Sequence, residues 1–103
     1  MESRTEQIRA AKAQAVAAKV QAFDTGRRIG YAWASTEATG DELIAVDGLC
    51  VRCGATETDR ALTIVATALG WPTIKLRDML PADATPRTVF GFLDGARSYF
   101  RNV

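Results

Sequence analysis

The chain has 103 residues, of which 48% are apolar and 24% are charged, and its formal net charge is +1. This length and composition predict a single small domain over 1–103 and exclude a disordered chain. The near-neutral total excludes the strong overall positive charge that is typical of a nucleic-acid binder. The absence of histidine excludes a Ser-His-Asp or Cys-His triad and a histidine-ligated metal, so we expect neither an enzyme nor a cofactor.

No apolar run approaches the roughly 18 residues that a membrane-spanning helix requires. The N-terminal residues also lack the apolar core and the small-residue cleavage site of a signal peptide. We therefore expect a cytoplasmic protein that does not contact a membrane. Thiols stay reduced in that compartment, so a structural disulfide between Cys50 and Cys53 is not expected.

Residues 3–23 are rich in alanine and in straight-chain polar residues, a composition with high helical propensity. Val16, Val20 and Phe23 fall on one face at helical spacing, which predicts that only the second half of this helix is buried. The first two turns are therefore expected to protrude. Gly26 suits the left-handed residue that ends many helices, so we predict that the helix stops there.

The next segment, 27–34, alternates larger and smaller side chains at the period of a β-strand. After a polar connection, Asp47-Gly48 separates two short apolar runs, 43–46 and 49–53. An Asp-Gly pair in this position is a strong signal for a two-residue hairpin turn. The sequence therefore predicts a three-stranded antiparallel β-meander.

A helix is predicted after the cysteine pair, because apolar side chains recur at helical spacing between Leu62 and Leu69. Gly70 follows as the expected stop. The pattern of residues 71–80 suits an edge strand and a short helix equally well, so the sequence leaves this segment open.

The last segment, 85–101, carries the most regular helical stripe of the chain, and Thr85-Pro86 is suited to begin it. Gly91 and Gly95 argue against a helix, at about 1 kcal/mol each, and a final hairpin is the alternative. We prefer the helix. Together the elements predict an α+β domain of αβββα-like order, with its helices on one face of the sheet.

Cys50 and Cys53 belong to a Cys-Val-Arg-Cys-Gly segment that two chemical interpretations fit. Over 43–95 the order of elements resembles thioredoxin-like and glutaredoxin-like proteins, and this resemblance implies a redox-active cysteine pair with Pro86 beside it. The segment also resembles one knuckle of a zinc ribbon, which implies zinc held by four ligands, two of them from elsewhere. We favour the plain alternative, two buried and unreactive cysteines.

Residues 62–80 resemble the helix-turn-helix motif of bacterial DNA-binding regulators, with Ala66 where the two helices cross and Gly70 in the turn. The resemblance implies a recognition helix in the major groove, supported by phosphate contacts. The implied DNA-contacting residues are Thr73, Lys75 and Arg77, with Arg87 and Arg97 near phosphates. A strand over 73–80 would exclude this motif.

Acidic residues also cluster in the sequence, and a carboxylate pair could in principle act in catalysis. They fall in predicted turns and near a helix N-terminus, where acids are favoured by capping and by the helix dipole. We therefore interpret them as a solvated acidic edge. They are Asp41, Glu42, Asp47, Glu57 and Asp59.

The chain contains more aromatic side chains than so small a core requires, and tyrosine and tryptophan are enriched at binding hot spots. We predict an exposed aromatic patch with an arginine rim that binds a partner protein. The predicted partner-binding residues are Tyr31, Trp33, Trp71, Arg97 and Arg101.

The function expected from these features is that of a small, non-catalytic regulatory or inhibitory protein. By analogy of size and composition, we expect a regulator or antagonist of a larger machine, including small phage- or plasmid-borne inhibitors, that acts by covering a surface of its partner. DNA binding through 62–80 is the alternative, and a thiol-redox or zinc-binding function ranks third. The sequence leaves a homodimer open.

Overall fold

The structure, a computed structural model, describes residues 4–49 and 57–102, and within these ranges its regular elements are all helices. The longest helix, α1, contacts α5 along most of the length of α5. Helices α2 and α3 also contact α5 and each other, and α4 contacts α3. The elements are α1 (Arg4–Thr36), α2 (Gly40–Asp47), α3 (Thr58–Leu69), α4 (Thr73–Met79) and α5 (Pro86–Arg101).

The predicted α+β fold with a three-stranded β-meander is wrong, because the described residues contain no strand. The first predicted strand, 27–34, is part of α1, and the second, 43–46, lies inside α2. Of the third, 49–53, only Leu49 belongs to the described residues, and it is not in a strand. Short alternating runs fit one face of a helix as well as a strand, and here the helix packing decides between them.

Helix α1 continues through Gly26 because this glycine lies where α1 meets α5. A Cβ atom on Gly26 would lie 1.9 Å from the carbonyl oxygen of Thr88, and one on Gly30 would lie 2.0 Å from that of Phe92. Both glycines are buried in helical conformation. Gly26 therefore serves the close approach of two backbones, which is why the predicted helix stop is wrong.

The prediction of a helix over 85–101 is confirmed, and its two glycines have the same role as those of α1. A Cβ atom on Gly91 would lie 2.0 Å from the carbonyl oxygen of Phe23, and one on Gly95 would lie 2.0 Å from that of Arg27. Close packing offsets the low helical propensity of glycine here, because many atom pairs come within dispersion distance. We refer to Gly26, Gly30, Gly91 and Gly95 as the glycine seam.

Helix α2 occupies the residues that were predicted to form a polar connection and a hairpin. The Thr39 Oγ1 accepts from the Glu42 N–H at 3.2 Å, and the Glu42 Oε1 accepts from the Thr39 N–H at 2.9 Å. This reciprocal capping box starts the helix. At the other end, the Gly48 N–H donates to the Ile44 carbonyl at 3.1 Å, so Asp47-Gly48 ends a helix and does not turn a hairpin.

The turn after α3 follows the predicted stop at Gly70, whose φ of 72° is left-handed. The Trp71 N–H donates to the Ala66 carbonyl at 2.8 Å, which satisfies one of the last carbonyl groups of α3. Pro72 then leads into α4, so the open segment is a helix over Thr73–Met79. The two helices and their glycine turn have the order that the helix-turn-helix resemblance requires.

The apolar core lies against the inner face of α5, and its largest fully buried side chains are Phe92, Leu62, Leu76, Val46, Val65 and Val89. In contrast, every residue from 4 to 21 of α1 is exposed. We call these residues the arm; at 1.5 Å per residue it is about 27 Å long. It accounts for the elongated shape, 57 × 27 × 23 Å. The protrusion predicted for the first two turns is confirmed, but the exposed part continues to residue 21 and includes Val16 and Val20, which were predicted to be buried.

Substitution of Gly95 tests the glycine seam. Gly95→Ala places a methyl group against the Arg27 carbonyl, and backbone cannot move aside as a side chain can. We expect the free energy of unfolding to fall by about 3 kcal/mol or more, at the upper end of overpacking effects. Urea unfolding followed by circular dichroism measures the change.

Gly40→Ala is the matched control, because Gly40 is also helical and a Cβ atom there meets nothing within 4 Å. We expect this variant to match or slightly exceed the wild-type stability. Equal stability of the two variants would contradict backbone contact at the seam.

Candidate functional site

The predicted aromatic patch does not form one surface. Trp33 is 5% exposed and lies in the core. Its ring meets Trp71 edge-on, with ring centroids 5.2 Å apart, and lies 5.3 Å from the ring of Phe92. Such aromatic pairs add about 0.5–1.5 kcal/mol beyond the buried area, so the packed rings stabilise the body of the protein.

Trp71 is half-buried and connects α2 to the start of α4. Its Nε1 donates to the Glu42 Oε2 at 2.6 Å, and the Lys75 Nζ lies 4.2 Å from the centroid of its ring. Burial of the Glu42 carboxyl raises its pKa, but the hydrogen bonds from Thr39 and Trp71 and the nearby Lys75 charge outweigh this effect. The pKa of Glu42 is therefore lowered from its ordinary value.

The other predicted partner-binding residues lie along α1 and α5. Tyr31 is exposed and packs edge-on against Tyr99, with ring centroids 5.6 Å apart. The Arg97 Nε donates to the Val46 carbonyl at 3.2 Å, and the Arg101 Nε donates to the Asp47 Oδ1 at 2.9 Å. The two arginines thus hold α5 to the C-terminal end of α2.

The residues implied by the helix-turn-helix resemblance are only partly available to DNA. Lys75 lies over the Trp71 ring, and the Arg77 Nη2 forms an ion pair with the Asp59 Oδ1. Thr73 is half-buried, and the exposed positions of α4 also include Ile74 and Asp78. The face of α4 is therefore mixed in charge and partly apolar. Arg87 and Arg97 lie on α5.

A groove between the arm and the start of α5 combines apolar and cationic side chains. It has a volume of about 470 Å³. Val16 and Val20 are 60% and 63% exposed, so these residues, predicted to be buried, face solvent. We call it the arm groove; it is lined by Val16, Lys19, Val20, Phe23, Asp24, Arg27 and Arg87.

The charged residues of the arm groove divide into paired and unpaired groups. Asp24 pairs with Arg28 at 2.8 Å, and Arg27 pairs with Asp94 at 3.2 Å. Lys19 and Arg87 form no ion pair with any residue that the structure describes. The groove therefore offers two uncompensated cations beside exposed valine side chains.

The sequence signal for the arm groove was the stripe of Val16, Val20 and Phe23. In the sequence this stripe predicts a buried face, because a sequence does not show where the covering helix begins. The helix-turn-helix resemblance implies phosphate contacts for Arg87. The proximity of Arg87 to Lys19 depends on the α1–α5 packing, which sequence spacing alone does not give.

Cys50 and Cys53 lie outside the described residues, so the redox and zinc hypotheses stay predictions. Across 4–49 and 57–102, no group of three or more potential metal ligands comes together. None of the helices in these ranges is both long enough and apolar enough to cross a membrane. No protein-family model, curated protein or solved structure matches the chain.

Glu42→Gln tests the link between α2 and α4. We expect it to lower the free energy of unfolding at pH 7 by about 1 kcal/mol, since a charged acceptor is lost at a partly exposed site. Because the pKa of Glu42 is lowered on folding, its contribution is complete above its ordinary value of 4.5 and is lost as the pH falls through the folded pKa. Urea unfolding between pH 7 and pH 3 measures this.

The difference between wild type and E42Q should therefore narrow below about pH 4.5. Trp71→Phe removes one donor to the carboxylate and should weaken this pH dependence. A difference that stays constant down to pH 3 would show that the Glu42 carboxylate is not held in this way.

Proposed function

We propose that this chain is a small, non-catalytic regulatory protein that binds a partner protein through the arm groove. The observation that carries the proposal is the exposure of Val16 and Val20 beside two uncompensated cations. This combination is typical of a binding surface, in which apolar contacts give affinity and charges at the rim select the partner.

Exposed valines are unusual in this arm, because alanine fills most of its other apolar positions. Valine has a lower helical propensity than alanine, so the arm would be more helical without them. Burial of each valine by a partner would contribute about 1.5 kcal/mol. The valines therefore disfavour the free helix and favour a complex.

The regulatory action that fits this surface is steric. The body of the protein is held by the glycine seam and the packed aromatic rings. The arm, about 27 Å long, protrudes from this body, with its last turns beside the start of α5. When a partner binds along the arm, the surface that the partner uses for this contact is blocked to other molecules. This steric action requires no chemical step. A regulator or antagonist of a larger assembly could act in this way.

DNA binding through α3 and α4 is the second candidate, and the helix over Thr73–Met79 after the left-handed Gly70 favours it. It ranks below protein binding because Lys75 and Arg77 already contact groups of the protein. Phosphate contacts would have to compete with these interactions.

Val16→Ala combined with Val20→Ala tests the proposed function, since alanine removes the apolar contacts and preserves the helix. The tagged protein is used to capture partners from a lysate of its native host, and bound proteins are quantified by mass spectrometry. We expect at least one protein whose recovery falls about tenfold or more in the double variant, the loss expected from about 1.4 kcal/mol.

The matched control is Ile44→Ala combined with Ile74→Ala, which removes two equally exposed apolar side chains from α2 and α4. Recovery of the same protein should be unchanged. Native mass spectrometry with a duplex of about 20 base pairs at low salt tests the second candidate. A stable DNA complex without any Val16/Val20-dependent protein capture would overturn the proposal.

A further inference from the structure

We infer that the arm groove binds an acidic amphipathic α-helix of the partner. This inference rests on the proposed function and specifies the chemistry of the partner segment. The carrying observation is that the apolar positions and the uncompensated cations of the groove lie side by side on two helices, α1 and α5.

The apolar part of the groove has helical spacing. Val16, Val20 and Phe23 stand at i, i+4 and i+7, so they form a row about 10 Å long on one side of α1. The N-terminal turn of α5 lies beside this row and contributes Arg87. An elongated surface of this kind accepts the ridge of a third helix, whose apolar anchors repeat at the same spacing.

The charges of the groove favour a partner helix that carries negative charge. Lys19 on α1 and Arg87 on α5 both line it, and neither has a carboxylate partner among the described residues. Lys12 stands seven residues before Lys19, two helical turns away, so it extends the cationic row along the arm. Glutamate or aspartate beside the apolar stripe of a partner helix would meet these cations.

A second copy of this chain is a poorer occupant. The arm carries four cations, Arg4, Arg9, Lys12 and Lys19, against one carboxylate, Glu6, so its net charge is +3. Two arms lying side by side would repel each other. Nucleic acid would meet the cations but leave the valines without apolar contacts. A membrane-surface helix needs a broader apolar face than the arm carries.

The test measures binding of a labelled helical peptide to the full chain by fluorescence anisotropy. The peptide carries leucine at i, i+3, i+4 and i+7 with flanking glutamates. A second peptide has the same composition in an order that breaks the stripe, and a third has lysine in place of glutamate. We expect binding of the first peptide alone, with an affinity that falls as salt is added.

Arg87→Glu should weaken binding of the acidic peptide about tenfold or more, and so should Lys19→Glu. The matched control is Arg60→Glu, which makes the same change at an exposed position in the first turn of α3. It should leave the affinity unchanged. Lys19→Glu combined with Arg87→Glu should bind the lysine peptide in place of the acidic one.

Three results would overturn the inference. Equal binding of the scrambled peptide would show that no helical stripe is recognised. If no peptide binds but a host protein is still captured in a Val16/Val20-dependent way, the inference of an acidic helix is wrong and the proposed function is retained. The chain could instead bind duplex DNA, or vesicles of phosphatidylcholine and phosphatidylserine at 3:1, more strongly than the acidic peptide. If Arg87→Glu abolished that binding, the groove would belong to another class of partner.

Discussion

The structure depends on the backbone contact between α1 and α5. At the glycine seam each helix places two glycines against carbonyl groups of the other, so the helices meet without side chains between them. Contact this close lets the neighbouring side chains interlock and gives many small dispersion contacts. It also fixes which side of α1 faces the body, because the two glycines of α1 stand four residues apart on one side of the helix.

Helix α2 is attached by polar links both to this pair and to the start of α4, around an apolar centre. Arg97 and Arg101 hold the end of α2, and the Trp71–Glu42 hydrogen bond holds its beginning to the start of α4. Trp33 lies between the rings of Trp71 and Phe92, where α1 faces α5. Four of the predicted partner-binding residues, Trp33, Trp71, Arg97 and Arg101, thus assemble the body.

Local signals in the sequence correctly identified the parts of the fold whose cause is local. The helix stop at Gly70 and the helix start at Thr85-Pro86 need only neighbouring residues, and both were predicted. The capping box from Thr39 to Glu42 is just as local, but the predicted polar connection and hairpin did not include it. The Asp47-Gly48 pair turns a hairpin only when two strands flank it.

The other errors concern features whose meaning depends on a distant segment. Gly26 resembles a helix stop unless the backbone of α5 lies against it, and Gly91 resembles a helix breaker unless α1 does. In the same way, the valine stripe of α1 indicates burial or binding according to where α5 begins. A single sequence contains both halves of these contacts but does not show that they meet.

The continuity of α1 has a consequence for the orientation of the arm. Val16 and Val20 belong to the same unbroken helix as Gly26 and Gly30, so the seam sets their direction as well. A helix turns by about 100° per residue, so adding or removing one residue between Val20 and Gly26 would swing the valines away from Arg87. The number of residues in this short segment therefore fixes the rotational orientation of the binding surface of the arm relative to the body.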